Sequence, residues 1–138
     1  MNLNKILIID NNADSAAFCK NGLEDDGFRV DIADNFSKLI RMLEDNKYDL
    51  VILDINFITV KEYYSLQNTH NDIEKIPLII STDSSNLNKQ VSLLFQADAC
   101  IPKSTALSVL KERVRFVLAE FITDFREKEY SSAMQEYF

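Results

Sequence analysis

The chain has 138 residues, 46% hydrophobic and 27% charged, which suits one folded domain and excludes a disordered chain. Its net charge of -7 lies within residues 1–102, where 16 acidic side chains face 9 basic ones; with no basic stripe, direct nucleic-acid binding is not expected. There is no 18-residue apolar run and no secretory leader pattern, so the sequence predicts a cytoplasmic protein without a membrane partner.

Lys5-Ile-Leu-Ile-Ile reads as a buried strand ending on Asp10-Asn11. Ala16, Ala17, Cys19, Lys20, Leu23 and Glu24 recur at helical spacing, and Gly27 is placed to close that helix in a left-handed cap. Phe28 to Ala33 forms the second strand, and Phe36, Leu39, Ile40, Met42 and Leu43 predict a second helix over about Asn35 to Asn46. Asp49-Leu-Val-Ile-Leu-Asp54 is a third strand ending on a carboxylate. The third helix runs from Val60 to about His70, with Tyr63 and Tyr64 expected to pack it on the sheet. Ile76-Pro-Leu-Ile-Ile-Ser-Thr82 ends a fourth strand on a hydroxyl, and Leu87 to Gln96 is a fourth helix. Ala99-Cys-Ile-Pro-Lys103 delivers an ammonium, and Ser104 or Thr105 is expected to cap a fifth helix.

Five strand–helix units specify an α/β fold, a doubly wound five-stranded parallel sheet of the flavodoxin-like kind. In such folds ligands bind beyond the carboxyl ends of the strands, where Asp10, Asp54, Thr82 and Lys103 would meet. Two carboxylates, a hydroxyl and an ammonium at one edge can hold a divalent cation and a phosphoryl group. Gly22 and Gly27 are the only glycines, so the turn after the first strand lacks the cradle of a dinucleotide fold or a P-loop. Asn11-Asn-Ala-Asp14 is likewise no flavin phosphate loop, and an aspartate-nucleophile phosphatase of the haloacid-dehalogenase type needs an acid where Asn12 stands. Cys19 and Cys100, without metal spacing, read as small core residues, and His70 as a loop residue.

Four of these segments together, Asp10-Asn11, Tyr48-Asp-Leu-Val-Ile-Leu-Asp54, Ile76-Pro-Leu-Ile-Ile-Ser-Thr82 and Gln96-Ala-Asp-Ala-Cys-Ile-Pro-Lys103, resemble the receiver domain of bacterial two-component response regulators in order and spacing. The stretch Leu23-Glu-Asp-Asp-Gly-Phe-Arg-Val30 adds to the likeness, which covers roughly residues 3–121. The resemblance implies a receiver domain over 1–121 and a tail or helix extension over 122–138. It further implies a switch rather than an enzyme, with Asp54 accepting a phosphoryl group from a histidine kinase or phosphotransfer protein. Mg2+ would be held weakly by Asp10, Asp54 and the carbonyl of Asn56, with Asn11 where a second acid usually stands; Thr82 and Lys103 would bind phosphoryl oxygens. Other departures are Ile58 for a proline, Glu62 for a glycine, Cys100 for an aromatic ring, and Asp83 for the small residue after the threonine. A phosphorylation-independent interaction module on the same fold is the alternative.

Leu107, Leu110, Val114, Val117, Phe121 and Phe125 recur at spacings of three and four, so the fifth helix is expected to outrun the sheet. Its far end would fold back, lead into an output domain, or meet a second copy in a homodimer.

Overall fold

The structure, a computed structural model, describes residues 4–69, 76–83 and 93–120. The apolar runs form β1 (Lys5–Ile9), β3 (Leu50–Asp54), β4 (Leu78–Thr82) and β5 (Ala99–Pro102), and Arg29–Ala33 adds β2. Between them lie α1 (Ala13–Asp25), α2 (Phe36–Asp45) and α3 (Val60–Thr69), and a further helix spans residues 107–120. All strand pairs are parallel, in the order β2-β1-β3-β4-β5, which is the doubly wound sheet that the sequence predicts.

Period-two alternation splits each strand between two cores. Ile6, Ile8, Leu50, Ile52, Ile79 and Ile101 face the side covered by α1 and the 107–120 helix, with Leu23, Val114 and Val117. Leu7, Ile9, Val51, Leu53, Leu78 and Ile80 face the other side, with Leu39, Tyr63 and Phe95. Both faces are apolar because both are covered, so the strands read as unbroken hydrophobic runs.

Local chemistry sets the helix ends. Asn12 and Asn35 cap α1 and α2 by accepting from the backbone N–H groups of Ser15 and Lys38. Gly27, at φ +93°, donates its N–H to the Glu24 carbonyl while Phe28 donates to Leu23, so the end of α1 closes in a left-handed cap as expected. Phe28 is thereby tied to the helix, and β2 starts one residue later than its apolar pattern suggests. At α3, Thr59 Oγ1 accepts from the Glu62 N–H and Glu62 Oε1 accepts from the Thr59 N–H. That reciprocal box gives Glu62 a structural task where the receiver pattern carries glycine.

Two expectations are corrected. Neither Ser104 nor Thr105 caps the last helix: Thr105 donates its N–H to the Pro102 carbonyl in a turn, and the Ala106 carbonyl accepts from Leu110 as the helix starts at 107. Tyr63 is buried and meets Phe95 edge-on, but Tyr64 is exposed and donates its hydroxyl to the Leu94 carbonyl. Consecutive helical residues point about 100° apart, so the two rings cannot share one face. Cys19 and Cys100 are free and half-buried, each against one of the two cores. His70, the fourth helix up to residue 92, and the stripe from Phe121 onward lie outside the described residues.

Candidate functional site

The register of the sheet builds the site. Ile8 lies opposite Ile52 and Ile9 opposite Leu53, so the next pair at the carboxyl edge is Asp10 and Asp54. By alternation both carboxylates belong to the face of Ile6, Ile8, Leu50 and Ile52. They are 4% and 5% exposed, a burial that costs several kcal/mol per ion unless it is compensated.

Compensation comes from β5. The Lys103 N–H donates to the Thr82 carbonyl at 2.7 Å, fixing the residue beyond the strand end. Its Nζ then stands 3.1 Å from Asp10 Oδ2 and 3.1 Å from Asp54 Oδ2. Burial alone would pull the Lys103 ammonium down. Hydrogen bonds to Asp54 and Asp10, and their charges, outweigh it, and the net shift is upward from the ordinary 10.5. The amine therefore stays charged at any physiological pH.

Backbone donors hold the remaining carboxylate oxygens. Asp10 Oδ1 accepts from the Asn12 N–H at 2.9 Å, and Asp54 Oδ1 accepts from the Asn56 N–H at 3.1 Å. Asn12 thus both orients Asp10 and caps α1. Sequence reasoning gave Asn12 no role, although an asparagine just ahead of an apolar helical repeat is the standard sign of a cap.

The other candidates sit around this centre. Thr82 is buried and falls in the alternation of Leu78 and Ile80, on the sheet face opposite to that of Asp54 and its partner Ser81. Asn11 and Asn56 are exposed at the edge. Asp83 is exposed and lines, with Asp10 and Lys103, the cavity that opens beside the site.

Carboxylate and carbonyl oxygens are the donors Mg2+ prefers, and it retains waters, so Asp10, Asp54 and the Asn56 carbonyl fit that ion chemically. Asn11 adds no charge, and among the described residues no cluster of three acidic, histidine or cysteine ligands exists.

Residues 6–115 match the response regulator receiver domain. The chain belongs to that family. It is 29% identical over 115 residues to the transcriptional regulatory protein CusR of Escherichia coli (strain K12), covering 83% of this chain and 51% of that one. It is 25% identical over 130 residues to the transcriptional regulatory protein YxdJ of Bacillus subtilis (strain 168), covering 91% and 57%. The chain therefore spans about half the length of the curated relatives it matches. Among solved structures, a CheY-like receiver domain protein from Methanospirillum hungatei superposes with a TM-score of 0.75 at 27% identity, over 89% of this chain and 99% of that one. A response regulator from Thermotoga maritima gives 0.73 at 22%, over 86% and 99%, which shows the shared fold. As a receiver domain the chain belongs to two-component signalling, in which receivers interact with histidine kinases or phosphotransfer proteins. Among the described residues no helix is long and apolar enough to cross a membrane.

Proposed function

We propose that this receiver accepts a phosphoryl group on Asp54 from a phosphohistidine of a kinase or phosphotransfer protein, and that phosphorylation switches partner binding. The observation that supports this most is the Lys103 ammonium placed 3.1 Å from each of two buried carboxylates at the edge of the sheet. Asp54 Oδ would form the new P–O bond as the P–N bond breaks, and the electron pair left on the imidazole nitrogen takes a proton from solvent. Such transfer asks mainly for positioning and charge neutralisation. Lys103, leaving one of its carboxylate contacts, would pair with a phosphoryl oxygen, and Thr82, which lies on the opposite sheet face here, would have to move toward Asp54 to offer its hydroxyl to another. Mg2+ would supply further neutralisation, held by Asp10, Asp54 and the Asn56 carbonyl.

A second copy is the partner that the outer face of the 107–120 helix suits. Val109 and Phe116, 47% and 55% exposed and two turns apart, flank Glu112 and Arg113. In a twofold pair each acid can meet the partner's base.

The deciding measurement is intact mass after treatment with acetyl phosphate and Mg2+. A single phosphoryl adduct is expected on wild type and none on Asp54→Asn. Absence of any adduct would leave the phosphorylation-independent interaction module, which the neutral Asn11 and the acidic Asp83 favour.

A further inference from the structure

The sheet is incompletely covered between α1 and the 107–120 helix. Leu107 seats against Gly22 so closely that a Cβ added to the glycine would lie 2.2 Å from Leu107 Cδ1. Gly22 falls in the last third of α1, and beside the first half of α1 the packing leaves a cavity of about 520 Å³. That is within the range of roughly 300–1,000 Å³ typical of small-molecule sites. Its floor is Ile8, Ile52, Ile79 and Ile101, all buried. Cys19 and Phe18 from α1 and Leu110 from the later helix form its walls, and Phe18 is 58% exposed.

The rim is charged. Asp10, Asp14 and Asp83 line it together with Lys103, whose ammonium is already held by Asp10 and Asp54. Asp14 and Asp83 are exposed, and among the described residues neither is paired with a cation. An anionic head group would meet two carboxylates that have no cation partner among the described residues, whereas a cationic one would complement them. A bare metal ion would leave the isoleucine floor unfilled.

We propose that this cavity binds an amphipathic organic cation, with its apolar body on the isoleucine floor and its amine at the Asp14–Asp83 rim. Binding here needs no phosphoryl transfer, although the rim shares Asp10 and Lys103 with the proposed phosphoacceptor pocket.

Three eight-carbon probes, octylamine, octanol and octanoate, separate the contributions when titrated into the full chain with isoleucine methyl resonances as the readout. Octylamine should shift the methyls of Ile8, Ile52, Ile79 and Ile101 saturably, octanol should bind more weakly, and octanoate weakest of all. Asp14→Asn combined with Asp83→Asn should weaken octylamine about two- to ten-fold, as expected for two exposed charge contacts, and leave octanol unchanged. Cys19→Phe, which fills the cavity, should abolish binding of all three; if that variant fails to fold, the Asn pair alone carries the test. The proposal is overturned if no probe gives saturable shifts at the floor. It is equally overturned if octanol or octanoate binds as tightly as octylamine, or if octylamine binding is indifferent to the Asn pair.

Discussion

At the residue scale, three side chains at or beside the sheet edge can each be tested separately. Replacing Lys103 with Met would leave Asp10 and Asp54 buried without their counter-charge. Lys103→Met should therefore lower stability at neutral pH by about 2–4 kcal/mol, between the costs of breaking surface and fully buried pairs, measured by chemical denaturation. Asn11 bears on the proposed Mg2+ site instead: Asn11→Asp should tighten Mg2+ binding in titration calorimetry, and unchanged affinity would place residue 11 away from the ion. Cys19 bears on pH. Burial, and then the Asp10 charge, push its thiol from 9.0 up to about 12. Between those values the unfolded chain ionises this thiol and the folded chain does not, so the unfolded state binds fewer protons and stability falls as pH rises. Tyr48 and Lys103 are also shifted upward, but from 10.0 and 10.5, so of these three groups Cys19 acts first. From pH 8.5 to 10, wild type should lose about 1 kcal/mol more than Cys19→Ala, read from denaturation midpoints at both pH values.

At the scale of elements, what could be read in advance follows from how local the cause is. Strands buried on both faces announce themselves as apolar runs, and a parallel sheet carries all their carboxyl ends to one edge. Asp10, Asp54 and Lys103 could therefore be grouped before any coordinates. The glycine cap of α1 is equally local. The start of the 107–120 helix was not legible, because Ser104 and Thr105 can serve either as caps or as turn residues, and the turn to Pro102 takes them. The cavity was not legible either, since it depends on where two helices touch rather than on either sequence alone. That contact is testable. Gly22→Ala should gain up to about 1 kcal/mol of helix propensity but forces Leu107 aside. The substitution is expected to destabilise wild type and to stabilise a Leu107→Ala background; the same sign in both would show that the two residues are not coupled.

At the scale of the whole molecule, a receiver must pass an event at its edge to a surface. In the family pattern an aromatic ring follows the threonine inward, but Cys100, half-buried on the face of Thr82 and Ile80, is too small to fill or vacate a ring-sized space. If phosphorylation switches this receiver as proposed, the signal would have to use another surface, and the outer face of the 107–120 helix offers one. Val109 and Phe116 are exposed there, while Val114, Val117 and Leu118 hold the inner face to the sheet. A phosphoryl group adds about -1.5 to -2 charge. It would arrive among Asp10, Asp54 and Asp83 and draw Lys103, which follows β5 directly and precedes this helix by one turn, away from its present partners. An equilibrium shifts only by the difference in interaction between its states, and the re-pairing of Lys103 supplies such a difference. Sedimentation with and without beryllofluoride and Mg2+ should show association strengthened by the phosphoryl mimic in wild type. Phe116→Glu should remove that association, and Cys100→Ala should leave it intact. If the mimic binds and association does not change, the homodimer is not the output; if Cys100→Ala abolishes it, the path runs through β5 after all.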